Sequence, residues 1–98
     1  MYVILVHYIK PLEEIDRLLP DHMAYLDEYY QAGYFLLSGR QVPRTGGLIL
    51  ARGRNRTAIE QIVCKDPFHL AGAAEYRIIE VEPTQLVPEL GVLQSSPR

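Results

Sequence analysis

The sequence predicts an α+β protein with the ferredoxin-like order of elements, βαββαβ. Three observations predict this order. An apolar, β-branched run opens the chain, and two stretches of helical periodicity come after it. Between the two helical stretches lie two short apolar runs joined by a turn. A last apolar run then completes the set of strands. Such an order is typical of an antiparallel four-stranded sheet that carries both helices on one face.

The beginning of the chain predicts one strand and a helical region. Residues 2–9 are apolar at odd and even positions alike, as expected of a strand that is covered on both faces. Residues 12–32 have helical spacing that Pro20 interrupts and Gly33 ends, which predicts a short helix followed by a longer one. The apolar stripe of this region should turn His22 inward or towards its edge. Its members are Leu19, His22, Met23, Leu26, Tyr29 and Tyr30.

A hairpin and a second helix follow. Residues 34–40 and 46–52 are the predicted strands of the hairpin, because Pro43 suits the turn between them. Thr57 and Glu60 have the spacing of a capping box, which predicts that the second helix opens at Thr57.

The fourth strand is expected over residues 74–83, after which prolines and a glycine interrupt the pattern. The sequence therefore predicts one domain at residues 1–83 and a C-terminal tail at residues 84–98. Residues 95–98 are expected to fray.

The composition predicts an assembly of more than one chain. Hydrophobic residues make up 48% of the sequence and charged residues only 22%, which is more apolar than a small two-layer core requires. Two sheets packed face to face would cover the excess, as in a dimeric α/β barrel. We expect a homodimer or a higher multiple of dimers.

Several classes of protein are disfavoured. The apolar start is interrupted by His7 and Lys10, so neither a membrane span nor a signal peptide is expected. The net charge of −2 and the lack of aromatic residues among the arginines disfavour nucleic-acid binding. The single cysteine, Cys64, excludes an intramolecular disulfide and predicts a cytoplasmic protein; its side chain is expected to be buried at a helix end.

Two residues are the best candidates for chemistry, His22 in the first helical region and Asp66 beyond the second. An imidazole paired with a carboxylate can act as a general base near neutral pH. The alternatives are a core histidine and a carboxylate that caps the short segment after Pro67. These roles are compatible, because a capping carboxylate can also orient an imidazole.

Three segments of the chain occur in a characteristic order and spacing. They are His22-Met-Ala-Tyr-Leu26 running to Ala32-Gly33, Leu37-Ser-Gly-Arg40 followed by Gly46-Gly-Leu-Ile-Leu50, and Asp66-Pro-Phe-His-Leu-Ala-Gly72 leading into Glu75-Tyr76. In these segments the chain resembles the YciI-like (YCII-related) family over residues 1–83. The resemblance implies the dimeric α/β barrel architecture and an active-site pair at His22 and Asp66, with Ser38 nearby. A characterised relative removes chloride from a chlorinated hydroxyquinol derivative, but most of the family has no assigned function, so the resemblance implies a type of site more than a substrate.

Other side chains could complete a substrate site. Arg40 follows Ser38 and Gly39 directly and could attract an anionic oxygen. Tyr8 and Phe68 could line a pocket, or could serve only as core residues.

Hydrolytic, metal and cofactor chemistry have weaker support. Ser38 does not lie in a nucleophile elbow, although a Ser-His-Asp triad stays open as an alternative. His7 and His69 could join Asp66 at a metal, but no ligand pattern supports this. Phosphate loops and dinucleotide fingerprints are absent from the sequence, so neither metal nor cofactor is expected.

The function expected from the sequence is that of a cofactor-independent enzyme, a lyase or isomerase acting on a small aromatic or enol-like molecule. His22 would move the proton, Asp66 would fix its tautomer, and Ser38 and Arg40 would hold an anionic oxygen. The alternative is a dimeric ligand-binding or accessory protein in which the pair is structural. An open pocket beside His22 would favour the enzyme, whereas ring nitrogens satisfied by buried backbone groups would favour the alternative.

Overall fold

The computed structural model describes residues 1–94 and shows an α+β ferredoxin-like fold. Four strands form one antiparallel sheet in the order β2-β3-β1-β4. The predicted fold class is confirmed. In chain order the elements are β1 (Tyr2–Tyr8), α1 (Leu12–Gln31), β2 (Phe35–Arg40), β3 (Gly46–Ala51), α2 (Arg56–Val63), α3 (Pro67–Leu70), β4 (Ala74–Glu80) and a 3₁₀ helix (Pro88–Gln94).

Side chains of β1 alternate between the two faces of the sheet. Ile4 is fully buried on the face that carries the helices, opposite Ile49 of β3 and Ile78 of β4. Val3 and Leu5 point to the other face and are partly exposed. The core therefore forms on one side of the sheet, from alternate strand residues and the apolar stripes of the helices.

Helix α1 is continuous through Pro20, so the predicted break at this residue is wrong. Proline lacks the N–H that would bond to the carbonyl of Asp16, and an interior proline costs a helix about 3 kcal/mol. Buried side chains on both sides of the proline, Ile15 and Leu26, hold both halves of the helix against the same core. Tertiary packing thus offsets the tendency of Pro20 to break the helix.

The packed stripe of α1 differs from the predicted one at three positions. Met23 and Tyr30 are among its exposed residues, whereas Tyr25 is only 7% exposed. The hydroxyl of Tyr25 donates a hydrogen bond to the carbonyl oxygen of Ile62 at 2.8 Å and so ties α1 to α2. Burial raises the pKa of this phenol above its ordinary value of 10.0, and the negative charge of Asp66 adds to the effect.

Helix α2 starts at Arg56, one residue before Thr57, and its N-cap is Asn55, which corrects the predicted capping box. The side-chain oxygen of Asn55 accepts a hydrogen bond from the backbone N–H of Ala58 at 2.9 Å, the usual contact of an N-cap. At the other end, Cys64 is exposed rather than buried, because the core face of the helix ends at Val63.

The last strand ends at Glu80, before the predicted limit of residue 83. The first and last strands remain joined just beyond it, since Val81 donates its backbone N–H to the carbonyl oxygen of Met1 at 2.9 Å. The predicted fraying of residues 95–98 lies outside the described residues. None of the helices within residues 1–94 combines the length and hydropathy that a bilayer span requires.

Gly46 is expected to be essential for the close approach of β3 to β1. A Cβ atom at this position would overlap the carbonyl oxygen of Val6, which belongs to the sheet backbone and cannot move freely. Gly46→Ala should therefore lower the free energy of unfolding by about 1–3 kcal/mol, the usual cost of overpacking, as measured by urea denaturation. Gly39→Ala is the matched control, because a Cβ atom there meets nothing within 4 Å. Equal stability of both variants would contradict this account of β1–β3 packing.

Candidate active site

The structure brings His22 and Asp66 together although they lie 44 positions apart in sequence. Nδ1 of His22 is 2.8 Å from Oδ1 of Asp66. The aspartate side chain is completely buried, whereas the histidine side chain is 12% exposed. The carboxylate is therefore enclosed by protein, whereas the imidazole is partly accessible.

Local structure at the start of α3 places the carboxylate. Asp66 is the N-cap of this helix, and its Oδ1 accepts a hydrogen bond from the backbone N–H of Phe68 at 3.0 Å. Pro67 occupies the first helical turn, where a missing N–H has no cost. The other oxygen, Oδ2, accepts a hydrogen bond from the hydroxyl of Tyr76 in β4 at 2.7 Å.

These contacts assign the tautomer of His22. A buried carboxylate that accepts from two other donors is an acceptor for the imidazole as well, so Nδ1 carries the proton and donates it to Asp66. Nε2 then carries the free lone pair. Within residues 1–94 this nitrogen makes no hydrogen bond, and the lone pair is the basic group of the site.

Aromatic contacts fix the plane of the imidazole. The ring of Phe68 stacks on that of His22 with centroids 4.0 Å apart and an angle of 11° between planes. Tyr8 in turn meets Phe68 edge to face, with centroids 5.8 Å apart. Because the hydrogen bond to Asp66 fixes one edge and the stacking fixes the plane, the direction of Nε2 is set before any ligand binds.

His22 borders a cavity of about 280 Å³ between α1 and the sheet. Its walls are mostly apolar, and no aspartate or glutamate is among its lining residues. Five of the six predicted site residues line it, namely Tyr8, His22, Ser38, Arg40 and Phe68. Asp66 does not, because it lies behind the imidazole.

Strand β2 supplies the polar members of the cavity. Ser38 and Arg40 pair with Ile49 and Gly47 of β3, so both stand on the face of the sheet that carries the helices. The hydroxyl of Ser38 is 2.6 Å from the hydroxyl of Tyr30. Among residues 1–94 it makes no hydrogen bond to His22, so the Ser-His-Asp arrangement is not formed.

The two other histidines lie apart from the pair. His7 is exposed on β1, and His69 on α3 has its ring centroid 5.7 Å from that of Tyr76. In the described part of the chain, no three side chains of His, Cys, Asp or Glu are placed to hold a metal ion.

Comparison with known proteins identifies the family. The family model of the YCII-related domain matches residues 1–82. The chain belongs to this family. No curated protein is significantly similar to this YCII-related chain in sequence.

A solved structure shares the fold of the YCII-related chain. It is 5-chloro-2-hydroxyhydroquinone dehydrochlorinase (TftG) from Burkholderia phenoliruptrix, in complex with 2,5-dihydroxybenzoquinone. The TM-score is 0.70 with 17% sequence identity, and the match covers 84% of this chain and 94% of that chain. A likeness at this identity shows the fold.

Sequence reasoning missed two polar residues of the YCII-related site. Tyr76 lies in the predicted fourth strand, and nothing in the neighbouring sequence indicates its bond to Asp66. Arg44, in the turn between β2 and β3, lines the cavity and bonds to Asp16 of α1. Its place in an arginine-rich stretch that lacks acidic residues was the only sequence signal.

The hydroxyl of Tyr76 is expected to contribute to stability through Asp66. Tyr76→Phe leaves one oxygen of a buried carboxylate without a donor, which should lower the free energy of unfolding near pH 8 by about 1–3 kcal/mol. Urea denaturation measures the loss. Tyr34→Phe is the control, because the hydroxyl of Tyr34 makes no hydrogen bond within residues 1–94.

The same variant should change the response to alkaline pH. Burial raises the pKa of Tyr76 above its ordinary value of 10.0, and the charge of Asp66 and the hydrogen bond raise it further. The folded protein therefore holds this proton more tightly than the unfolded chain does, so the stabilisation is complete below about pH 10 and declines as the pH rises further. The gap between wild type and Tyr76→Phe should narrow above pH 10. A constant gap would contradict the assignment.

Proposed function

We propose that this YCII-related protein is a cofactor-independent enzyme that acts on a small aromatic or enol-like molecule by proton transfer. The observation that supports it most is the asymmetry of His22. One ring nitrogen is held by a buried carboxylate, while the ring borders an open cavity and its second nitrogen makes no hydrogen bond within residues 1–94.

In the proposed reaction, Nε2 of His22 removes a proton from the substrate. Asp66 stabilises the resulting imidazolium and keeps the proton of Nδ1 in place. Ser38 and Arg40 lie on the same side of the cavity and hold the oxygen on which negative charge develops. Phe68 keeps the imidazole in the plane that this transfer requires.

A lyase reaction of the dehydrochlorinase type fits these roles. His22 takes the proton, the electrons of the broken bond form a carbon–oxygen or carbon–carbon double bond, and chloride leaves, so the net change is loss of HCl. The shared fold with a protein named as a dehydrochlorinase supports this class. An isomerase would use the same first step and return the proton to another atom.

The second candidate function is that of a ligand-binding or accessory protein in which the His-Asp pair is structural. The capping bond from Phe68 to Asp66 favours it, since that bond alone gives the carboxylate a role in the fold. The cavity beside His22 is the observation that favours the enzyme instead.

We further propose that a second copy of the chain covers the face of the sheet opposite the helices. The apolar residues of this outer face are Val3, Leu5, Leu37, Leu48, Leu50 and Ile79. Glu75 and Arg77 stand on the same face, beside β1. A two-fold axis that passes between these two residues would bring each charge near the opposite charge of the other copy, which favours self-association over another partner.

The expected location of the protein is the cytoplasm. The exposed thiol of Cys64 supports this proposal, since free surface thiols persist in reducing compartments.

Activity is expected to depend on both members of the pair. We expect wild-type protein to release chloride or isomerise at least one member of a panel of chlorinated and unchlorinated hydroquinols, with 5-chloro-2-hydroxyhydroquinone included. His22→Gln and Asp66→Asn should each lower kcat by about 10²- to 10⁴-fold, the usual contribution of a positioned acid-base group. Chloride release and absorbance measure the rates.

His69→Ala is the matched control for these rates, because this exposed histidine does not line the cavity. Undiminished turnover by His22→Gln would contradict the proposed mechanism. Saturable binding without turnover of any compound would support the accessory protein instead.

The proposed assembly predicts a dimer in solution. Light scattering after size exclusion should give twice the chain mass at micromolar concentration, and Val3→Glu should give monomers, because it places a charge between Leu50 and Ile79 on the apolar outer face. Leu70→Glu is the control, since Leu70 is 72% exposed on α3. A wild-type protein that stays monomeric would refute the assembly.

A further inference from the structure

Arg44 connects the turn between β2 and β3 to helix α1. Its Nη2 donates a hydrogen bond to Oδ1 of Asp16 at 2.6 Å, and this bond raises the pKa of the guanidinium above its ordinary value. The same side chain lines the cavity that contains His22. Arg44 is therefore a fixed cation at the wall of the candidate active site, held from behind by a carboxylate.

The guanidinium of Arg44 has donors that Asp16 does not use. Nε is buried and has no hydrogen-bond partner within residues 1–94, so it is closed to the cavity as well. The side chain as a whole is 26% exposed and borders the cavity. An anion in the cavity would therefore bond to the terminal N–H groups of the guanidinium that Asp16 leaves unused.

The charges around the cavity indicate the nature of that acceptor. Arg40 also lines the cavity and forms no ion pair in the described part of the chain. No acidic side chain faces the two arginines from the cavity walls, since Asp16 is not among the lining residues. The walls of the cavity therefore carry an excess of positive charge beside aromatic surface.

We infer that Arg44 binds an anionic oxygen of a small planar acid through its guanidinium, with the ring of that acid in the cavity beside His22. The inference rests on the proposed function in taking this cavity as the substrate site, and it adds the substrate class and the residue that selects it. Asp16 is then a positioning residue, because it holds the guanidinium through Nη2.

The ligand would then bind with its anionic group against the arginines and with the atom that gives up a proton against Nε2 of His22. A cavity of about 280 Å³ has room for a substituted aromatic ring.

The test compares an anion with its neutral isostere. Calorimetry measures the binding of 4-hydroxybenzoate, 2,5-dihydroxybenzoquinone and the uncharged 4-hydroxybenzamide to wild type, Arg44→Met and Arg44→Lys. Arg44→Met should raise Kd for an anionic probe by about 10- to 100-fold, as expected for loss of a charge-assisted hydrogen bond, and should leave the amide unchanged. Arg44→Lys, which keeps the charge without the fork, should lie between.

Arg17→Met is the matched control, because this exposed arginine of α1 pairs with Glu14 of the same helix and is not among the residues that line the cavity. Thermal unfolding of each variant establishes that the fold is intact. A response of 4-hydroxybenzoate alone identifies a carboxylate, and a response of the quinone alone identifies an enolate; both support the inference.

Two results would overturn it: wild type that binds neither anion at millimolar concentration, or Arg44→Met that binds the anions as wild type does or loses the amide equally. Failure of the proposed function has a different signature, namely turnover that survives His22→Gln. Binding of the anions to His22→Gln should remain dependent on Arg44, so the two proposals can fail independently.

Discussion

The buried carboxylate of Asp66 is the interaction on which the rest of the site depends. It accepts hydrogen bonds from His22 of α1, Phe68 of α3 and Tyr76 of β4, which are three separate elements of the fold. An ionised carboxylate is costly to bury unless such donors surround it. The same group therefore caps a helix, joins the helical layer to the sheet and orients the imidazole, and none of these roles can be lost without strain on the others.

The cavity lies where strand β3 has a glycine, Gly47, and therefore no side chain. Gly47 of β3 stands on the face that carries the helices, between Arg40 of β2 and Val6 of β1. A Cβ atom there would lie 2.9 Å from the carbonyl oxygen of Gly39, so a side chain would both strain the sheet and enter the cavity. The missing side chain of Gly47 thus leaves space in the cavity that His22 also lines.

Two kinds of polar group line this cavity. One is the imidazole of His22, whose orientation the buried aspartate and Phe68 determine. The other is a pair of arginines, of which Arg44 is held by Asp16 across 28 positions of sequence. Under the proposed function, these groups select an anionic ring and present its reacting proton to the base. The alternation of β1 keeps this chemistry on one face and leaves the opposite face free for the proposed second copy.

The sequence by itself determined the order of elements, the family and the identity of the His22–Asp66 pair. These depend on periodicities of two and 3.6 residues and on a spaced motif, all of which a linear chain displays. Only the tertiary structure decided that α1 runs through Pro20, that Tyr76 completes the carboxylate site and that Arg44 faces the ligand cavity. The physical reason is that all three depend on contacts between separate elements of the fold. At Pro20, the energy of packing also outweighs the local preference against a helix.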